Sequence, residues 1–184
     1  MKRAAPEPEE DASVLGVVPL RPPLRAAHGL VSIAQGSVVA FEGDATVNAA
    51  NVGMIGGGGV DGAINRMGGP ALKKARRELD IIGVDGRRCD TGDARTTTGG
   101  SLPATHVIHA VGPNYCELQD TDHGDALLFE AYRSAMREAR RHGVRTIGFA
   151  LLSAGIFRAD RPLTDVLRIG LLAVMSNAYP ALQV

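Results

Sequence analysis

The chain has 184 residues and is 45% hydrophobic, which suits one globular domain with a sizeable core and leaves no room for two. Twenty Lys and Arg balance twenty Asp and Glu, and aromatics make up only 4%, so nothing global attracts nucleic acid or an anionic membrane, and any anion site must be local. No apolar run approaches a bilayer span, Glu7, Glu9, Glu10 and Asp11 argue against a secretory signal or an acid-poor transit peptide, and Cys89 and Cys116 form neither a C-x-x-C pair nor a zinc set with the five histidines. A reduced, intracellular setting with no metal and no membrane partner is expected.

Residues 1–27 carry five prolines and the acidic cluster, and read as a flexible tail. A β-edge through Val14, Val17 and Val18 is the competing view, which Pro19, Pro22 and Pro23 oppose. Strands are expected over 30–34 and 45–49, the second after a turn at Glu42, Gly43 and Asp44. The stretch Asn48 to Gly69, NAANVGMIGGGGVDGAINRMGG, then places four glycines, Gly56, Gly57, Gly58 and Gly59, between a strand and a short helix over 60–67. Glycine lets a ligand approach the backbone closely, and the free N–H groups of a helix start suit a phosphate. Neither a Rossmann fingerprint nor a P-loop fits, and a flexible linker would not be flanked by an apolar strand and a small-residue helix.

Pro70 opens the next helix, with Leu72, Ala75, Leu79 and Ile82 at helical spacing. The run Lys73, Lys74, Arg76 and Arg77 reads as its solvated face, because Glu78 and Asp80 follow directly and no aromatics interleave. An edge strand is expected between Thr91 and Gly100, and a clear strand over 106–111. Residues 125–142 form an amphipathic helix with Leu128, Tyr132, Ala135, Met136 and Ala139 on one stripe and Gly143 as its stop. A buried strand over 146–152 turns at Ser153, Ala154, Gly155, Ile156 and Phe157 into a last helix over 162–178, with Leu163, Val166, Leu167, Gly170 and Val174 inward.

Strands alternating with helices imply a layered α/β domain with a largely parallel sheet, whose ligand cleft lies outside the carboxyl ends of the strands. Both glycine-bearing loops follow strands, so they form one cleft. On their own, Asp61 reads equally as a helix N-cap, Asn51 as a turn residue bonding its own backbone, and 153–157 as an ordinary turn with Phe157 in the core.

Taken together, NAAN, GGGGVDGAI and LLSAGIF, with CDTGDA and HVIHAVGPN between them, resemble the macrodomain family of ADP-ribose-binding modules, over roughly residues 30–184. The resemblance implies a domain over 28–184 folded as a three-layer α/β/α sandwich with a central mixed, largely parallel sheet. It also implies ADP-ribose as ligand, with no cofactor. Gly56 to Gly59 with Val60, and Ser153, Ala154, Gly155, Ile156 and Phe157, would close over the diphosphate, with Asn48 and Ala49 at the strand end beside them. Asn51 would orient the distal ribose, and Asp61 would contact it or activate a water. Asn48 would hold the two loops together through its amide, and Asn65 would support Asp61 from one helical turn away.

Departures from the family pattern lie at the adenine end, where Gly36, Ser37 and Val38 stand for a Gly-Asp-Ile whose Asp receives the adenine amino group. Phe157 stands for a Tyr and Arg158 for a Gly. The chain ends at Val184, where the family begins a further strand and a last helix; C-terminal truncation would expose a sheet edge and lower stability. Retention of Asn51 and Asp61 favours a hydrolase that removes mono-ADP-ribose from modified acidic side chains or deacetylates O-acetyl-ADP-ribose; the alternative is a non-catalytic reader. A cytoplasmic monomer is expected, nuclear in a eukaryote, with ADP-ribosylated proteins as partners and no nucleic acid.

Overall fold

In chain order, the strands and helices are β1 (Val18–Pro19), β2 (Leu24–Arg25), β3 (Leu30–Val31), β4 (Ala34–Gln35), β5 (Ala45–Ala49), α1 (Gly59–Met67), α2 (Gly69–Arg77), β6 (Ala94–Thr98), β7 (His106–Ala110), α3 (Thr121–Arg141), β8 (Ile147–Phe149) and α4 (Leu163–Asn177). They come from a computed structural model that describes residues 18–20, 22–26, 28–180 and 182–184. Most of the segment read as a tail, residues 1–17, lies outside the described residues; beyond it, β1 pairs with β4 and β2 with β3 in two-residue antiparallel ladders. The strand expected over 30–34 is thus split into β3 and β4.

The main sheet has the order β6-β7-β5-β8, with β7, β5 and β8 parallel and β6 antiparallel at the edge. It is the expected mixed, largely parallel sheet, flanked by helices on both faces. Gln183 bridges in parallel to both Leu30 and Thr146, so residues 182–184 lie between β3 and β8. Leu30 and Ser32 donate to Leu182 and Val184 on one side, and Ile147 donates to Gln183 on the other.

Side-chain alternation along the strands sorts the two faces. Ala45 and Val47 of β5 and Ile108 and Ala110 of β7 point into the main core with Leu128, Tyr132, Ala135, Met136 and Ala139 of α3 and Val166 and Val174 of α4. Burying a side chain of the size of Leu128 contributes about 1.5–3 kcal/mol. The opposite face packs α1 and α2 in a smaller cluster of Ile64, Leu72, Leu102 and Val107. Asp120 starts α3 earlier than the apolar stripe indicates, because its carboxylate accepts from the N–H groups of Asp122 and His123. Its far end is Gly143, at φ 66°.

Three elements end or turn differently from the sequence reading. Helix α2 stops at Arg77; Leu79 packs with Met54, Cys89, Ala50 and Val111, and Ile82 is exposed in a turn where its N–H donates to Arg87. Leu163 and Leu167 of α4 are exposed, because the helix lays Gly170 on the Tyr132 ring, where a Cβ would come within 2.7 Å of the ring. Strand β8 is three residues long, since Ser153 at φ 49° turns the chain away soon after it.

The α1/α2 face of the sheet also carries polar residues at positions that alternation would give to apolar ones. Thr46 and Asn48 of β5, His109 of β7 and Thr97 of β6 are all buried there. The Asn48 amide nitrogen lies 3.0 Å from His109 Nδ1, and His109 Nε2 lies 2.9 Å from Thr97 Oγ1. An amide nitrogen can only donate, so Nδ1 accepts and the ring proton sits on Nε2, donating to Thr97, whose hydroxyl in turn donates to Thr98 O. Burial, reinforced by the charge of Arg76, pushes the His109 pKa well below its usual value and keeps the ring neutral.

A depressed histidine pKa makes the native state refuse a proton that the unfolded chain accepts. Stability from His109 is therefore fully present above the ordinary value of 6.5 and falls as the pH drops below it. The slope is at most about 1.4 kcal/mol per pH unit. Asp44, where burial is outweighed by hydrogen bonds from Arg145 and Thr146, and Asp125, where it is outweighed by Arg161 and Tyr115, are held low and lose stability only below 3.8. Urea midpoints should therefore fall between pH 6.5 and 5 in the parent and fall less in a His109→Asn variant; equal slopes in both would contradict the neutral, buried assignment.

Candidate functional site

Strands β7, β5 and β8 run parallel, so the loops that follow them emerge on one edge of the sheet, with the β5 loop between the other two. Ala50 donates to Ala110 O and Ala150 donates to Val47 O, so the chain stays paired just beyond each strand end. The β5 loop is organised by Asn51. Its Oδ1 accepts from the N–H groups of Gly53 and Met54 at 3.1 and 3.2 Å, and its Nδ2 donates to Gly56 O at 3.0 Å. Asn51 therefore does serve as a turn residue, while its amide stands at the loop's inner wall. Met54, held at φ 60°, is fully buried beneath it.

Helix α1 begins with Gly59, and its N-cap is Gly58 with no side-chain cap bond. Asp61 is thus not the N-cap that one reading assigned it. The cap position falls to a glycine because Asp61 sits two residues into the first turn and points inward, where Asn48 Nδ2 and Arg76 Nη1 both donate to its Oδ1 at 2.7 Å. Asp61 Oδ2 is buried without a partner among the described residues. A Cβ built on Gly57 would lie 3.0 Å from Asp61 Oδ2 and 3.1 Å from Asn51 Nδ2. The carboxylate oxygen and the amide therefore both lie against Gly57, and a Cβ there would crowd both.

Asn48 has a different role from the one expected. It ties β5 to α1 and to His109 of β7, and makes no bond to the β8 loop. Asn65 does not support Asp61: a Cβ on Gly56 would come 2.9 Å from its Nδ2, so its amide faces Gly56 instead. Ala49 and Val60 are half-buried at the two ends of the loop. A Cβ on Gly58, Gly59 or Gly155 would meet no atom within 4 Å, so these glycines present bare backbone to open space on both loops.

The β8 loop is buttressed from behind. Ser153, at φ 49°, is buried and donates its hydroxyl to Pro113 O at 2.7 Å, in close approach to Gly112, where a Cβ would come 2.4 Å from Ser153 Oγ. Tyr132, its pKa raised by burial to about 12, accepts the Leu152 N–H at 2.9 Å. Positive φ in non-glycine residues costs about 1–3 kcal/mol each and persists only where surroundings enforce it. Met54 and Ser153 carry that conformation in the two loops that face each other across the strand ends. Ile156 is exposed and Phe157 half-buried, so Phe157 is not a full core residue.

Ser37 is exposed and precedes a 3-10 turn, Val38–Ala40, without capping it. That turn is pinned to the sheet by the Thr46 hydroxyl, which donates to Val38 O at 3.3 Å. Gly36 and Val38 line the near end of an apolar cavity of about 570 Å³ that continues between β8 and α4 past Phe149, Leu151 and Leu167. None of the loop glycines borders it. Among the described residues, no cluster of three or more His, Cys, Asp or Glu could hold a metal, and no helix is long and apolar enough to cross a membrane.

The residue that sequence reasoning missed is Arg76. Placed on a solvated face by the basic run around it, it is completely buried, with its Nε bonded to Met54 O and its Nη1 to Asp61. The signal was its spacing: Leu72 and Arg76 are four apart on α2 and share its inward stripe.

The family model of the Macro domain matches residues 47–169. A Macro domain-containing protein of Cupriavidus necator is 43% identical over 155 residues, covering 83% of this chain and 86% of that one. The O-acetyl-ADP-ribose deacetylase 1 of Pantoea vagans is 41% identical over 127 residues, covering 69% and 71%. A solved structure of the Oceanobacillus iheyensis macrodomain with ADP superposes with a TM-score of 0.77 at 30% identity, over 88% of this chain and 85% of that one. Motifs, sheet order and relatives agree: the chain belongs to the macrodomain family.

Proposed function

We propose that the protein binds ADP-ribose in the cleft between the β5 and β8 loops and hydrolyses an ADP-ribosyl ester there. The observation that carries this reading is the convergence of Asp61 Oδ2 and Asn51 Nδ2 on Gly57, next to a run of glycines whose backbone is open. A diphosphate needs close, bare N–H groups, and the distal ribose beyond it needs a polar wall. The ADP held by the Oceanobacillus iheyensis macrodomain and the ester named for the Pantoea vagans relative support the same ligand class.

In this reading Asn51 orients the distal ribose and Asp61 Oδ2 accepts a proton from the attacking water. The water oxygen joins the acyl carbon, the ester C–O bond breaks, and the ribose oxygen leaves with a proton. The products are ADP-ribose and a free carboxylate, from a modified acidic side chain or as acetate from O-acetyl-ADP-ribose. Ser37 receives the adenine amino group beside Val38. ADP-ribosylated proteins are the partners, and the chain acts as a cytoplasmic monomer without a cofactor. A reader that binds without turnover is the second reading, favoured by one observation: Asp61 already has an ion-pair partner in Arg76 and so a structural use.

Three outcomes test this. Gly155→Glu should fold, because a Cβ there meets no atom within 4 Å, yet lose calorimetric ADP-ribose binding; a folded variant with unchanged affinity contradicts the cleft. Asp61→Asn, which keeps the side chain's shape, should cut ADP-ribose release from an automodified acceptor by ~100-fold or more with a much smaller change in affinity for ADP, whereas Asn51→Ala should lose release and, because it unties the glycine loop, affinity as well. A parent that binds ADP-ribose but releases none is a reader. Ser37→Ala should weaken ADP-ribose by about 1 kcal/mol and Ser37→Asp should tighten it; an indifferent Ser37→Asp means that adenine is held elsewhere.

A further inference from the structure

Arg76 has no solvent exposure, and its charge sits directly behind the candidate site. It reaches two elements at once. The Nη1 group donates to Asp61 Oδ1 at 2.7 Å, and Nε donates to the carbonyl of Met54, the left-handed residue of the glycine loop. Asp61 on α1 and the loop after β5 are thus fastened to the same guanidinium from α2. Nη2 is buried with no partner among the described residues, so the group is not placed there to satisfy its own donors. A buried arginine strands charge unless its partners are fixed, and the rigid fork of a guanidinium holds two acceptors in a set relation that a lysine ammonium cannot reproduce.

We infer that Arg76 is a positioning residue, which sets the glycine loop and Asp61 in register and commits Asp61 to work through Oδ2 alone. With Oδ1 taken by both Arg76 and Asn48, the carboxylate cannot rotate without breaking two bonds, and Oδ2 stays against Gly57, the glycine that Asn51 Nδ2 also approaches. The Met54 contact acts on the other half of the pair, because Met54 donates its N–H to Asn51 Oδ1. One guanidinium therefore reaches Asp61 directly and Asn51 through a single loop residue. This assignment rests on the hydrolase reading for its effect on rate, and only on binding of the distal ribose for its effect on affinity.

The test uses Arg76→Met, Arg76→Lys, Asp61→Asn and the Asp61→Asn/Arg76→Met double variant of the full chain, each checked for folding by circular dichroism and urea denaturation. Turnover on an automodified acceptor and calorimetric affinities for ADP-ribose and ADP are measured for each. In Arg76→Met, kcat should fall about 10- to 100-fold, as expected for a displaced catalytic group, with KM rising no more than the affinity for ADP-ribose falls. ADP affinity should stay within about twofold while the advantage of ADP-ribose over ADP is lost, since ADP lacks the distal ribose. In the Asp61→Asn background, Arg76→Met should cost no further kcat. Arg76→Lys, which keeps the charge but not the fork, should fold and still show reduced kcat and a reduced ADP-ribose to ADP ratio, so it decides the matter where Arg76→Met does not fold.

Parental kcat and parental affinity ratio in Arg76→Lys, or additive losses in the double variant, overturn the assignment. A parent without turnover refutes the hydrolase reading alone. The affinity ratio then decides for Arg76: lost in the variants, it supports positioning; retained, it overturns it.

Discussion

One buried chain of polar contacts governs this molecule, from Thr97 through His109 and Asn48 to Asp61 and Arg76. It crosses three adjacent strands of the sheet and ends on two helices, on the face that also packs Ile64, Leu72 and Val107. Buried polar groups are costly unless paired, and this network leaves Asn48 Oδ1, Asp61 Oδ2 and Arg76 Nη2 without a partner among the described residues. Here each link has a fixed direction: Arg76 and Asn48 donate to Asp61, Asn48 donates to His109, and His109 donates to Thr97. The direction holds only if His109 is neutral, which its burial enforces. Strand register, helix docking and the aim of the Asp61 carboxylate are therefore set together.

The two faces of the sheet consequently do different work. Against α3 and α4 the contacts are apolar, and they anchor the β8 loop through Tyr132. Against α1 and α2 the apolar cluster is small, and polar contacts supply the specificity. The loops at the carboxyl edge inherit this division. One is held from below by an ion pair, the other from behind by Ser153 and Pro113. Both contain a strained non-glycine residue that isolated loops would not keep.

Much of this was legible in the sequence because it depends on local pattern. The strand after the turn over 45–49, the apolar strand over 106–111, the helical stripe through Leu128 and Tyr132, and the glycines at 56–59 each report a property of neighbouring residues. What could not be read was long-range. Whether Asp61 caps its helix or turns inward depends on Arg76, fifteen positions away on another helix, and the basic run around Arg76 disguised it as surface. Asn48 was assigned to the wrong neighbour for the same reason, since its partner His109 is on another strand. The end of α2 was overrun because Leu79 continues the helical spacing while packing from a loop. Strands β1 to β4 are two-residue pieces joined across prolines and glycines, too short to show a period.

In the reading proposed above, the carboxyl edge of the sheet recognises a diphosphate first and a distal ribose second. Calorimetric titration of the parent chain with AMP, ADP and ADP-ribose tests it most directly. The arrangement of bare glycine backbone followed by Asn51 and Asp61 predicts that affinity rises at each step, from AMP to ADP and again to ADP-ribose. If AMP binds as tightly as ADP-ribose, neither loop contributes as described and the site lies elsewhere.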